Sequence, residues 1–220
     1  FALHHLPAEL AVKTYKMYGQ SAMDLLYDDP YLLMDTGLDG PFGAVDRFAI
    51  DLGVDADDHR RIDAGILFEL RYNLTAGHSF LPMDKLTGAT AQLLNVDEST
   101  VSQGIDRLLD ANRLIRDSLA GITVGYLPEL YRAEICCART LLQHANNHYP
   151  DPAGLERKLR LAGQSSGVEY SLQQAEAIRQ AATSGLLIVT GGPGTGKTTI
   201  VNGILDLYEQ IGLDCVLAAP

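Results

Sequence analysis

Tryptophan is missing from this 220-residue chain, and cysteine occurs only three times. Adjacent Cys136 and Cys137 and distant Cys215 form no C-x-x-C pair, which favours buried thiols in a reducing cytoplasm over a disulfide or metal ligation. The six histidines show no metal-ligand spacing such as H-E-x-x-H. No apolar run approaches the ~18 residues of a membrane span, and no signal peptide opens the chain, so no membrane contact is expected. Positive charge is also scarce. Lys and Arg number 17 against 28 Asp and Glu, a formal net charge of −11. Residues 1–120 hold 10 basic against 19 acidic side chains, and residues 121–220 hold 7 against 9. The first half therefore lacks the basic face with which proteins displace counterions from nucleic acid, and its acidic surface suits a protein partner instead. Phe1 rather than Met opens the chain and Pro220 closes it after two apolar segments of a nucleotide domain; both ends read as cut.

What is present is most specific between Leu186 and Thr199. An apolar run turns through glycines into Lys197 and Thr198, matching G-x-x-x-x-G-K-[ST] with Gly191 and Gly196 as the fixed glycines. Leu186 to Val189 is predicted as a strand buried on both faces. Gly192, Pro193, Gly194, Thr195 and Gly196 would curl so that backbone N–H groups converge on phosphate oxygens, beside the positive end of a helix beginning near Gly196. In such a loop Lys197 reaches the β- and γ-phosphates, the Thr198 hydroxyl holds Mg²⁺, and Thr199 continues the helix. ATP and Mg²⁺ are the expected ligands. Downstream, Val201, Ile204, Leu205, Tyr208 and Ile211 repeat at helical spacing, Gly212 stops the helix, and Cys215 to Pro220 is predicted as the next strand, closing a βαβ unit.

Upstream, Ser171 is a good N-cap for a helix to about Thr183. Gln174 stands in its first turn, where a carboxamide could pair with the N6/N7 edge of adenine. Residues 154–167, polar and rich in Ser, Gly and Arg, are expected to be an exposed connection. A long helix is predicted from about Tyr126 to His148, with Leu130, Ile135, Leu141 and Leu142 on its buried side.

The first 125 residues read as helical. Short helices are expected over Pro7–Tyr18 and Ser21–Tyr27, then two helical pieces around Gly37 to Gly43, a helix-hairpin-helix pattern. In such a hairpin Gly40, Phe42 and Gly43 are the candidate DNA contacts, meeting phosphates rather than bases. A helix over His59–Ala76 carries the stripe Ile62, Ile66, Leu67, Leu70 and Leu74, and Gly77 to Pro82 is predicted as a connection. Helices over Asp84–Leu94 and Glu98–Asn112, followed by short strands at Leu114–Ile115 and Ile122–Val124, make a winged-helix-like pattern. Asp106 and Asp110 beside Arg107 and Arg113 argue against major-groove reading there.

The chain resembles the long form of the RecD-like ATP-dependent DNA helicases, members of helicase superfamily 1 with an N-terminal extension. Its carriers are Leu10-Ala-Val-Lys-Thr-Tyr-Lys-Met-Tyr-Gly19, Asp29-Pro-Tyr-Leu32, Arg61-Ile-Asp-Ala-Gly-Ile66, Gly77-His-Ser-Phe-Leu-Pro82 and Tyr126-Leu-Pro-Glu-Leu-Tyr-Arg-Ala-Glu134. Ser171-x-x-Gln174-x-x-Ala177, Thr190 to Thr198 and Ala218-Ala-Pro220 complete the set. The hairpin departs from the family's Gly-Ile-Gly-Phe-Lys: it is longer, and Pro41 precedes Phe42. The resemblance implies that Gln174 senses adenine and that Pro220 begins a motif touching single-stranded DNA. It implies an ATP-driven motor with 5′-to-3′ polarity acting on single strands and duplex ends or forks. The fold so implied is an α/β P-loop NTPase (RecA-like) partial domain after a mainly α accessory region. Residues 1–54 are the helix-hairpin-helix part, 55–125 the winged-helix-like part, and 126–220 the start of the motor domain, its core beginning near 168. Alone, such a piece is expected to bind nucleotide without unwinding DNA. A small-molecule kinase or ring ATPase on the same loop, or a docking role for residues 1–125, are the alternatives.

Overall fold

The computed structural model describes residue 4, residues 6–35 and residues 37–219, with backbone alone at 165 and 166. Among these residues no helix is long and apolar enough to cross a membrane. The chain divides into two compact units, Phe1–Glu134 and Ile135–Pro220.

The first unit opens with helices α1 (Ala8–Tyr18), α2 (Ala22–Asp28) and α3 (Phe42–Asp51), with a 3₁₀ turn over Pro30–Met34. Three longer helices follow: α4 (His59–Leu74), α5 (Met83–Leu94) and α6 (Glu98–Asp110). The Asp58 carboxylate caps α4 by accepting from the Arg60 N–H at 2.8 Å, and the Arg60 guanidinium holds that carboxyl below the usual range. The stripe expected on α4 is buried at Ile62, Ile66, Leu67 and Leu70; Leu74, the fifth expected member, is exposed. One apolar cluster runs from Leu6 to Leu127, so packing shows no break at 54/55.

Inside that cluster sits an ionic staple. Arg61 is 7% exposed. Its guanidinium takes both oxygens of Asp46 at 2.9 and 3.0 Å and donates to the Ala56 and Leu94 carbonyls at 2.8 and 3.1 Å. Tyr31 donates its hydroxyl to the same Asp46 at 2.7 Å. Burial and that anionic partner push the Tyr31 phenol well above its ordinary value. A planar fork filled on every side ties α3, the 55–57 loop, α4 and the end of α5 together.

Strands β2 (Ile115–Leu119) and β3 (Ile122–Tyr126) form an antiparallel hairpin, longer than the sequence pattern predicted. The stretch expected as a connection supplies a third strand, β1 (Phe80–Pro82), antiparallel to β3 with Phe80 opposite Tyr126. Three residues carry no detectable period by themselves; the ladder partner 46 positions away makes them a strand. Val124 and Tyr126 of the central strand are buried, and the Tyr126 hydroxyl, pushed up to about 12 chiefly by burial, donates to Glu134 at 3.0 Å.

The second unit departs further from expectation. Helix α7 (Pro128–Ala145), which begins in the first unit, has no buried residue, and Leu141 and Leu142 of its expected inner side are exposed. Residues expected to form an exposed connection instead form α8 (Leu155–Ser166) between Gly154 and Gly167, both left-handed. Leu155, Leu159 and Ala162 repeat at helical spacing and are buried, a stripe masked by the surrounding polar residues. Leu155 and Leu159 pack with Ile178 and Ala182 of α9 (Leu172–Thr183) and with Ile200 and Leu207 of α10 (Lys197–Ile211). Neither Leu186–Val189 nor the run from Cys215 joins a strand, so the βαβ unit is not formed among the described residues. Ile188, Val216 and Leu217 are 76%, 92% and 72% exposed. A parallel strand exists only when neighbours take its N–H and C=O groups and cover both faces, and no described segment does so here. All three cysteines are free and exposed, not buried.

Candidate nucleotide site

Helix α9 enters through a capping box. The Ser171 hydroxyl accepts from the Gln174 N–H at 3.3 Å, and Gln174 Oε1 accepts from the Ser171 N–H at 3.0 Å. This reciprocal pair satisfies two N–H groups that would otherwise lack partners and holds Gln174 in one rotamer. Its other amide end reaches the phosphate loop: a Cβ added at Gly196 would lie 2.4 Å from Gln174 Nε2. Gly196, at φ +81°, also has a backbone conformation that side-chain-bearing residues rarely adopt. Helix α10 starts on the next residue. Loop, glutamine and helix start thus converge.

The loop presents donors in excess. The N–H groups of Gly192, Gly194, Thr195, Gly196, Lys197, Thr198 and Thr199 donate to no acceptor among the described residues, whereas Ile200 already donates to the Gly196 carbonyl at 3.0 Å. Thr195 Oγ1 donates to the Gly192 carbonyl at 2.9 Å. Lys197 Nζ sits against the Gly191 and Gly192 carbonyls, 2.7 Å from each. The ammonium is thus folded onto the rim of the loop by weak neutral acceptors that an anion would outcompete. The Thr198 hydroxyl has no partner among the described residues, and its side chain is exposed. Free amides, one ammonium and the Thr198 and Thr199 hydroxyls within eight residues fit a phosphate chain with a hard cation. Beside them lies an open cleft of about 690 Å³ lined by Gln174, Ala177, Val189, Gly191, Thr195 and Lys197. Ser171, absent from the expected site residues, lines it too; its S-x-x-Q spacing was the available signal. Pro193, expected at the site, lies in the turn of the loop and is exposed.

The expected DNA contacts fare differently. Phe42 is 6% exposed and stacks on Phe68 with ring centroids 4.7 Å apart, so it belongs to the core. Gly40 donates its N–H to the Leu33 carbonyl at 2.8 Å, and a Cβ there would lie 2.6 Å from the same oxygen. That glycine is required by close packing, and its amide is already used. Gly43 alone of the three is exposed. Pro220 lies outside the described residues.

A P-loop placed before an amphipathic helix and sealed by an upstream glutamine defines a P-loop nucleotide-binding protein. Residues 174–220 match the family described as AAA domain, and residues 1–80 match the ATP-dependent RecD2 DNA helicase HHH domain. The chain is also 31% identical, over 96% of its length, to the ATP-dependent RecD2 DNA helicase of Deinococcus radiodurans. It spans 30% of the length of that relative. Two domain matches in this order and one similarity along nearly the whole chain support reading it as similar to a segment of the RecD-like helicases.

Proposed function

We propose that this segment serves an ATP-dependent cytoplasmic DNA helicase that moves 5′-to-3′ along single strands and opens duplex ends or forks. The observation that carries the proposal is the meeting of Gln174 with Gly196, a glutamine gate on a phosphate loop that a kinase or ring ATPase does not require. In this reading Nε2 of Gln174 is the amide end left to meet adenine, since Oε1 is engaged by Ser171. Amides from Gly192 to Thr199 receive the phosphates, and Lys197 leaves its carbonyl acceptors to bind the β- and γ-oxygens. The Thr198 hydroxyl would hold Mg²⁺, whose charge would offset that of the γ-phosphoryl oxygens. Catalysis then rests on positioning and charge stabilisation.

For the accessory unit, the run of α5, α6, β2 and β3 with β1 as the third strand supports a winged-helix-like reading of residues 55–125. Residues 1–54 take the helix-hairpin-helix role, with Gly43 the exposed backbone contact and Gly40 and Phe42 shaping the turn. Residues 126–220 begin the motor domain. ATP turnover by the full-length protein, measured with and without single-stranded DNA, tests the proposal. Stimulation is expected; turnover indifferent to DNA would leave a kinase-like or ring-ATPase reading in its place.

A further inference from the structure

Tyr170 stands one residue before the Ser171 cap and is half-buried, packed like Ala175 against the apolar cluster of the second unit. From that place an apolar side chain fixes the angle at which the chain enters a helix. Here the ring lies between two other helices. The chain reverses after α8, with the Val168 N–H donating to the Gly163 carbonyl at 2.9 Å. A Cβ added at Gly163 would lie 3.4 Å from Tyr170 Cε2. At the far end of the ring, a Cβ added at Gly203 of α10 would lie 2.8 Å from the Tyr170 hydroxyl oxygen and 3.1 Å from Cζ. Both glycines are buried, and a side chain at Gly203 would leave the ring no room.

Gly203 is also where α9 itself comes against α10, since the same added Cβ would lie 2.5 Å from Ile178 Cδ1. It stands seven residues beyond Gly196, two helical turns, so the two glycines share one face of α10 about 10 Å apart. Helix α9 therefore meets that face twice, through Gln174 Nε2 at Gly196 and through Tyr170 and Ile178 at Gly203. The first contact borders the open cleft, where a ligand can take it over; the second lies on the buried side and persists. The capping box fixes Gln174 relative to Ser171 but not the helix end relative to the phosphate loop. That placement needs a neighbour locked by packing.

We propose that Tyr170 is a positioning residue for base recognition: held between Gly163 and Gly203, it sets where the first turn of α9, and with it Gln174 Nε2, lies over the phosphate loop. This rests on the reading of Gln174 as the adenine contact. The test uses full-length protein with ATP and with 7-deaza-ATP, which lacks the N7 acceptor available to Nε2. Wild type favours ATP in kcat/KM by about fivefold, as one hydrogen bond gives. Tyr170→Ala brings that preference below about twofold through KM for ATP, while kcat with 7-deaza-ATP stays within about twofold of wild type. Tyr170→Phe, whose ring still reaches Gly203, restores the preference. Amide exchange over residues 171–178 reads the anchor without nucleotide and quickens in the Ala variant. If that variant melts early, Tyr170→Leu, apolar but too short to reach Gly203, replaces it. An unchanged preference or unchanged exchange overturns the proposal, as does an equal loss with both nucleotides, which marks a merely structural side chain. If Gln174→Ala keeps the wild-type preference, or wild type shows none, the adenine reading of Gln174 falls instead, while exchange still decides whether Tyr170 anchors α9.

Discussion

Residues 1–134 turn their strongest polar groups inward, whereas the phosphate loop of the second unit leaves its own unsatisfied. Arg61, Asp46 and Tyr31 complete one another inside the first core. The loop from Gly192 to Thr199 holds a row of free amides, an ammonium resting on two carbonyls and an unpartnered threonine hydroxyl. A buried polar group without a partner is costly, so the first unit pairs most of what it buries, with Thr90 Oγ1 and Arg107 Nε as exceptions among the described residues. Donors left open at a solvent-facing loop cost little until an anion arrives and repays their desolvation. The first unit is therefore built for shape and the second for a ligand.

The largest test of this contrast is Lys197→Ala. It should lower ATP turnover of the full-length protein by about 10³-fold, as loss of a charge-stabilising donor does, without changing its melting temperature; turnover near wild type would remove the contrast at its root. Gly196→Ala comes next. Strain at φ +81° and collision with Gln174 Nε2 should weaken nucleotide binding by about 10- to 100-fold in calorimetric titration. In the first unit Asp46→Ala strands the buried Arg61 charge. Chemical denaturation should show a loss of about 3–5 kcal/mol, with nucleotide affinity untouched. Ser171→Ala breaks the capping box and should cost about 1 kcal/mol. It should also free Gln174, so a change in nucleotide affinity larger than the change in stability would show that the cap positions the glutamine.

The smallest effect concerns acid. The Asp58 carboxyl is held below its ordinary value by the Arg60 guanidinium 2.6 Å away. Its contribution is therefore present above the unfolded-state value and disappears as pH falls through the folded one. Asp29, Asp63 and Glu69 work in reverse. Burial raises them, so what they contribute is present at low pH and declines as pH rises through their folded values. Thermal melts from about pH 3 to 6, the carboxylate range, should show a shallower acid loss for Asp58→Asn than for wild type. Parallel curves would mean that the α4 cap is carried by geometry rather than charge.

Much of the site was legible because its signals are local. Gly191 to Thr198 specify a loop by spacing, and Ser171-x-x-Gln174 specifies a capped helix within four residues. The helices of the first unit were legible for the same reason: the apolar stripe of α4 lies within one element. The misread segments depend on partners far away in sequence. Phe42 looked like a loop aromatic available to DNA until Phe68 covered it, and Gly40 looked like a flexible joint until the Leu33 carbonyl came against it. Polar neighbours hid the stripe of α8. The apolar run before the loop is a strand in composition only, since no described segment pairs with it.

By itself the sequence determined a glycine-rich turn of the phosphate-loop pattern with its lysine and threonine, the helix caps and the periods of most helices, because each is decided by residues within one or two turns. Tertiary structure alone decided which hairpin residues face water, that Phe80–Pro82 becomes a strand, and that Gln174 meets Gly196. Those outcomes turn on close approach between residues distant along the chain, where a single carbonyl or ring settles whether a group is buried, bonded or free.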